Sequence, residues 1–338
     1  MLLPYLHRVA AGENLSAADA RQAMLAILNG EATTSQIAAF LVALRMKEET
    51  ADELLGFAQA MREKAARVDA SIDSEPLLDT CGTGGDGGRT FNISTIAAFV
   101  VAGAGVRVAK HGNRSLSSAC GSADLLEELG IELLISPEQV ARAINEAGIG
   151  FMFAPAFHPA MKHAQPARIE LKMRTVFNLL GPLTNPAFAT AQLIGAASDP
   201  VAARMAQALA GLNIHHAFVV HGADAMDEVT TTGPTTVFEV RGREIQKFVW
   251  NPADFGVDVA VAADLAGGDR KMNREIALSV LEGERGPRRD IVLVNAAAAL
   301  VAAGRANDLR AGMRLAAESV DSGAARAKVD QLARISRR

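Results

Sequence analysis

Asp79-Thr80-Cys81-Gly82-Thr83-Gly84-Gly85-Asp86-Gly87-Gly88-Arg89-Thr90-Phe91-Asn92-Ile93-Ser94-Thr95 is a glycine-rich loop set between two apolar segments. Pro76-Leu77-Leu78 before it reads as a short strand. Residues 96–102 behind it read as buried helix, opened by Asn92, Ser94 or Thr95 as cap. Glycines let backbone N–H groups approach an anion closely, and a helix N-terminus adds positive dipole and unsatisfied donors. A phosphate or pyrophosphate is the natural guest. The loop lacks the lysine of the P-loop, and its glycines fall one position late for the dinucleotide fingerprint. Asp86 would repel a bare phosphate but could take a ribose hydroxyl or a metal-bound water. The ligand this favours carries both phosphate and sugar.

The 338 residues are 49% hydrophobic and only 4% aromatic, which suits one large domain or two unequal ones of helix-rich α/β type. A net charge of −4 argues against general electrostatic binding of nucleic acid. Two cysteines, Cys81 and Cys120, fit a reducing compartment and carry no metal-site spacing. The N-terminus lacks a charged-then-apolar leader pattern, and apolar runs such as 96–106 are too short and glycine-rich to span a bilayer. The expected setting is cytoplasmic, with neither membrane nor nucleic acid as partner.

Residues 1–70 read as all helix. Ser16 caps one helix, Thr34 or Ser35 opens another, and Thr50-Ala51-Asp52-Glu53 is a capping box. Their apolar faces are broader than short helices can bury alone, so part of this unit is expected at a subunit interface. Beyond residue 71 strand, loop and helix alternate. Strands are expected at 77–79, 106–109, 131–134, 150–153, 192–196 and 216–220, a hairpin at 236–241 and 244–250, and a helical tail from about 271. The fold class is therefore α/β: a small all-helical N-terminal domain (1–70) plus a larger domain (71–338) with a mostly parallel sheet flanked by helices. Functional loops belong at the carboxyl ends of the parallel strands.

Three further motifs fall at such ends. Lys110-His111-Gly112-Asn113-Arg114-Ser115-Leu116-Ser117-Ser118, continued by Gly121-Ser122, offers cations and hydroxyls for a polyphosphate. The run from Phe151 through His158 and His163 to Arg168 and Arg174 sets aromatic groups beside a lone arginine, which suits a flat organic acid. His158 and His163 are five apart and do not share a helix face as zinc ligands would. Asp227-Glu228, after the strand ending at Val220, suits Mg²⁺, which takes a few carboxylates plus water and substrate phosphates.

In combination, Gly82-Thr83-Gly84-Gly85-Asp86, Lys110-His111-Gly112-Asn113-Arg114, His158-Pro159-Ala160-Met161-Lys162 and Asp227-Glu228 resemble the anthranilate phosphoribosyltransferases over essentially the whole chain. The resemblance implies the fold shared with pyrimidine nucleoside phosphorylases, in which helices from about 160–180 join the N-terminal domain, and a homodimer formed through that domain. It implies transfer of the phosphoribosyl group of phosphoribosyl pyrophosphate to the amine of anthranilate, releasing pyrophosphate, with Mg²⁺ as cofactor, two ions per subunit. Gly82, Gly85, Asp86, Thr90, Asn92, Ile93, Ser94 and Thr95 look like the phosphoribosyl pyrophosphate site, completed by residues 110–118 and Ser122. Asn113 and Arg168 look like anthranilate contacts, with His111 and His158 lining the route. Ser94, Asp227 and Glu228 look like metal ligands, and Lys110 and His111 the catalytic pair. A nucleoside phosphorylase would instead need base-reading residues in place of Arg168 and no Asp227-Glu228. The chain departs from the family pattern at Ala167 (usually valine), Lys172 (usually glycine) and Ala225-Met226 (usually Gly-Leu), none of them a proposed ligand.

Overall fold

The computed structural model describes residues 1–70, 75–84, 90–115 and 119–337. The chain opens with α1 (Leu3–Ala10), α2 (Ala17–Leu28), α3 (Thr34–Lys47) and α4 (Ala51–Lys64). Side chains set their starts. Ser16 accepts from the Asp19 N–H, and Thr50 and Glu53 form the expected reciprocal box. α3 is capped by Thr33, not by Thr34 or Ser35, because Gln36 stands three residues on and completes a second box.

Strand and helix then alternate. The elements are β1 (Leu77–Gly82), α5 (Ile93–Gly103), β2 (Arg107–Gly112), α6 (Ser122–Glu128), α7 (Pro137–Ala147) and β3 (Ile149–Phe153). Next come α8 (Ala154–Phe157), α9 (Gln165–Leu171), α10 (Val176–Leu180), β4 (Ala191–Gly195), α11 (Asp199–Gly211) and β5 (His216–Gly222). The hairpin β6 (Thr235–Arg241) and β7 (Glu244–Trp250) follows. The tail is α12 (Pro252–Phe255), α13 (Arg270–Leu281), α14 (Pro287–Ala302), α15 (Leu309–Asp321) and α16 (Ala324–Ser336). Among the described residues no helix is long and apolar enough to cross a membrane.

One sheet runs in the order β3-β2-β1-β4-β5-β6-β7, parallel from β3 through β5 and antiparallel at β6 and β7. This is the expected mostly parallel sheet beside a small helical unit. Residues 131–134 are not a strand: they form an irregular connection between α6 and α7. Ile131 and Leu133 are buried in the same cluster as Leu332 and Ile335 of α16, and the Glu132 N–H donates to Ser336 Oγ rather than to a neighbouring strand. The apolar alternation there serves packing against a helix.

Alternation along the strands builds two layers. Leu78, Leu193, Phe218 and Val220 face α5 and the tail helices. Ile194, Ala217, Val219 and Val240 face α11 and share a core with α2, α3, α4 and α10. Since α5 and α11 cover opposite faces, the chain reverses direction along the sheet between β1 and β4. Open α/β sheets place their binding crevice at such a switch point.

The segment after α10 ties the two layers together. It is a 3-10 turn, Gly181–Leu183, followed by Thr184 and Asn185, both fully buried. His111 Nδ1 donates to the Gly181 carbonyl (3.2 Å), Gln192 Nε2 to Pro182 (2.8 Å) and Arg62 Nε to Leu183 (2.8 Å). Asn185 Nδ2 donates to Asp79 Oδ2 and to the Ala109 carbonyl, both at 2.8 Å. Side chains from α4, β1, β2 and β4 thus converge on one five-residue stretch.

Candidate active site

A cavity of about 680 Å³ opens where β1 and β2 end. Its volume falls within the range of small-molecule sites. Gly82, Thr90, Asn92, Ile93, Ser94, Thr95, Lys110, His111, Gly112, Asn113, Arg114, Ser115, Ser122, His158, Arg168, Asp227 and Glu228 all line it, so the structure brings together every expected site residue it describes. Gly85, Asp86, Leu116, Ser117 and Ser118 lie outside the described residues.

The close approach of the acidic loop explains two glycines. Gly82 and Gly195 are paired at the ends of β1 and β4. Asp227 lies across them: a Cβ on Gly82 would stand 2.6 Å from Asp227 Oδ2, and one on Gly195 only 1.6 Å from its carbonyl oxygen. The loop is fastened from outside the cavity. Fully buried Asn295 on α14 takes the Val229 N–H on Oδ1 (3.0 Å) and donates from Nδ2 to the Val229 carbonyl (2.9 Å). Asp224 accepts from the Met226 N–H (3.2 Å) and from the hydroxyls of Thr230 (3.0 Å) and Thr232. Ala225 sits at φ 65 and Lys172 at φ 47, left-handed backbone at the two positions where the resemblance leads one to expect glycine.

Glu228 Oε1 accepts the Ser94 N–H in the first turn of α5 (3.2 Å), while the Asp227 carboxylate lies over Gly82. The two carboxylates therefore diverge. Among the described residues no group of three or more His, Cys, Asp or Glu could form a metal shell alone. A hard-oxygen set of two carboxylates and the Ser94 hydroxyl, short of a full shell, fits Mg²⁺, which keeps water and substrate phosphate oxygens. The expected cap hydrogen bond from Asn92, Ser94 or Thr95 is not made. Asn92 holds the cap position without one, its Nδ2 donating to the Cys120 carbonyl instead (3.1 Å).

Lys110 is 3% exposed, and its ammonium donates to the Thr80 carbonyl. Burial lowers its pKa, and the neighbouring charge of Asp79 opposes that shift. Asp79, fully buried on the opposite face of β1, accepts from the His111 N–H (3.2 Å) as well as from Asn185. Burial raises its pKa, against the pull of Lys110. The imidazoles of His111 and His158 lie with ring centres 5.1 Å apart. Both lose their readiness to protonate on burial, and His158 is pushed down to about 3. A carbonyl only accepts, so His111 carries its proton on Nδ1. The Nε2 atoms of both are buried and without a partner among the described residues.

Arg168 lies with its guanidinium 5.2 Å from the centre of the Phe177 ring, and no carboxylate among the described residues pairs with it. Burial lowers its pKa. Two other expected contacts are engaged within the protein. The Arg114 guanidinium donates to Asp124 (3.0 Å) and Glu127 (2.6 Å), and Arg270 joins the same carboxylates. Asn113 Oδ1 takes the Arg114 N–H (2.7 Å), and its carbonyl takes the Ser122 hydroxyl (3.2 Å). Sequence reasoning named no role for Asp79, Arg174, Asn185 or Asn295. Of these only Asp79 carried a signal, as a charge placed inside an apolar strand.

Residues 74–326 match the family profile described as glycosyl transferase family, a/b domain, and residues 3–65 match its helical bundle domain. These two matches place the fold and its cavity among glycosyl-transferring enzymes. An anthranilate phosphoribosyltransferase of Solibacter usitatus is 63% identical over 332 residues, covering 98% of each chain. The anthranilate phosphoribosyltransferase of Thermus thermophilus superposes with a TM-score of 0.93 at 42% identity, covering 98% of this chain and 99% of that one. That of Saccharomyces cerevisiae in complex with PRPP and Mg gives 0.90 at 29% identity, covering 99% and 98%. The same yeast enzyme in complex with 4-fluoroanthranilate gives 0.88 at 29% identity, covering 99% and 98%. The chain belongs to the anthranilate phosphoribosyltransferase family.

The depressed pKa of His158 makes a prediction for stability. The folded protein holds this ring neutral down to about pH 3, whereas the unfolded chain protonates it near the ordinary value of 6.5. Stability from this source is complete above 6.5 and is lost as pH falls from there towards 3, at up to about 1.4 kcal/mol per pH unit. His158→Gln should therefore show a shallower fall in denaturant midpoint between pH 7 and pH 4 than the wild type. Identical slopes would refute the assignment.

Proposed function

We propose that this protein transfers the 5-phosphoribosyl group of phosphoribosyl pyrophosphate to the amine of anthranilate, giving N-(5-phosphoribosyl)anthranilate and pyrophosphate, as a cytoplasmic enzyme of tryptophan biosynthesis. The observation that carries this reading is the division of one cavity. Arg168, partly buried and unpaired by any carboxylate among the described residues, lies over Phe177 and shares with two neutral imidazoles the cavity that also holds Gly82–Gly84, Ser94, Lys110 and the acidic pair. The first group suits a planar aromatic acid and the second a phosphorylated sugar.

The diphosphate leaves C1 with its bonding electrons, and positive charge grows on the sugar. Lys110 and the Gly84 N–H would face the negative charge, in a cavity where fixed donors need no reorganisation. Mg²⁺, when bound, would neutralise the diphosphate oxygens. Asp227 would hold one ion, and Glu228 with Ser94 a second, since the carboxylates diverge. The aromatic amine is a free base at neutral pH, so its lone pair is available without a strong base, and orientation carries much of the rate. The guanidinium of Arg168 receives the carboxylate through paired donors. His111, neutral and with Nε2 unpartnered among the described residues, accepts the amine proton as the N–C bond forms. The helical unit of residues 1–70, joined by the segment at about 160–180, is the proposed homodimer contact.

Anthranilate fluorescence should fall on addition of phosphoribosyl pyrophosphate and Mg²⁺. Arg168→Ala should raise the anthranilate KM about 10- to 100-fold, the loss of one charge-assisted contact, while the KM for phosphoribosyl pyrophosphate changes little. Arg168→Lys should fall between. An unaltered anthranilate KM in Arg168→Ala would sink the assignment.

Activity should require Mg²⁺, and Asp227→Asn combined with Glu228→Gln should abolish it with the far-ultraviolet circular dichroism preserved. Full turnover by that double variant in chelator would contradict the metal reading. Light scattering at micromolar concentration should return twice the mass of the chain, and a monomer there would rule out the dimer.

A further inference from the structure

Arg174 lies in the linker between α9 and α10, six residues beyond Arg168, and its side chain reaches across the cavity. Nη2 donates to the carbonyls of Thr83 (2.8 Å) and Gly84 (2.7 Å), the first residues of the glycine loop beyond β1. The negative charge of Asp227 acts on the same guanidinium.

These carbonyls are not bystanders. In a trans peptide the C=O and the following N–H point in opposite directions. A donor fixed on the Thr83 carbonyl therefore aims the Gly84 N–H away from the guanidinium. Gly84 sits at φ +63, where a flexible residue needs holding to keep one orientation. Thr83 supplies a second hold. Its N–H donates to the Gly195 carbonyl (2.9 Å), its Oγ1 accepts from the Ala197 N–H (3.1 Å), and that hydroxyl donates to the Gly84 carbonyl (3.1 Å). The Gly84 carbonyl is thus gripped by Thr83 from the sheet side and by Arg174 from the helical side.

We propose that Arg174 is a positioning residue for the phosphorylated sugar. It orients the Thr83–Gly84 peptide unit, so that the Gly84 N–H is preset for the anion, while standing on the same segment as Arg168. The proposal rests on the phosphoribosyl pyrophosphate reading given above. It assigns Arg174 to the loop carbonyls, not to the phosphate.

The test is titration calorimetry of phosphoribosyl pyrophosphate with Mg²⁺ on the full chain. Wild type, Arg174→Ala, Thr83→Val and the double variant are compared, with thermal melts as a fold control. Arg174→Ala should weaken binding about 10- to 100-fold, and Arg174→Lys should recover part of the loss. Guanidinium ion added to Arg174→Ala should also restore affinity, which a general loss of structure would not allow. Because both side chains act on the Gly84 carbonyl, the losses from Arg174→Ala and Thr83→Val should be clearly less than additive. Additive losses would mean that Arg174 touches the ligand itself and would overturn the proposal. So would affinity within twofold of wild type in Arg174→Ala. Should Arg174→Ala fail to fold, Arg174→Gln carries the same comparison. Failure of wild type to bind would count against the substrate reading instead, and Arg174 would fall with it.

Discussion

The carbonyl row from Gly181 to Leu183 is the constraint on which the site depends. Each oxygen is taken by a side chain from a different part of the chain: His111, Gln192 and Arg62. A buried carbonyl without a donor is costly, so these side chains are held in place by the backbone they satisfy. The bond to Gly181 dictates where the ring proton of His111 resides. One short turn thereby joins the helical bundle to the sheet and sets the tautomer of an imidazole lining the cavity. Asn185 extends the tie to Asp79, which holds the backbone of His111 one residue beyond Lys110.

Around that anchor the cavity divides by charge. One side is made of strand ends and the start of α5, where Lys110 and the Asp227-Glu228 pair meet. The other is made of the segment that crosses back to the helical unit, where Arg168 stacks near Phe177. The first half is built on rigid elements whose register places Gly82 beside Gly195. The second rides on short helices, and Arg174 reaches from it to the first.

Much of this was legible in the chain. Glycines between an apolar strand and an apolar helix mark the loop that leads from β1 to α5, and that is a local property. The parallel sheet follows from alternating strand and helix, and the capping hydroxyls of Ser16 and Thr50 act within three residues. What escaped was non-local. Nothing in the sequence says that Ile131 and Leu133 pack on a helix two hundred residues away instead of joining a strand. The capping of Gly181 by His111, the clamp of Asn295 on Val229 and the reach of Arg174 to Thr83 are contacts between segments far apart in the chain. Arg114 shows the limit from the other side. Its type suits phosphate, yet here its guanidinium is engaged by Asp124 and Glu127, which lie on the next helix.

The left-handed backbone at Ala225 shows how a loop can stop needing glycine. An L-residue in that conformation costs about 1–2 kcal/mol, and the loop keeps its shape because Asp224 binds Met226, Thr230 and Thr232 at once. The turn is defined by a web of hydroxyl groups and not by the freedom of one residue. Mutational sensitivity moves with it: Thr230 and Thr232, which do not line the cavity, are places where a change would misplace the carboxylates. In this chain the geometry of the acidic pair is inherited through its threonines.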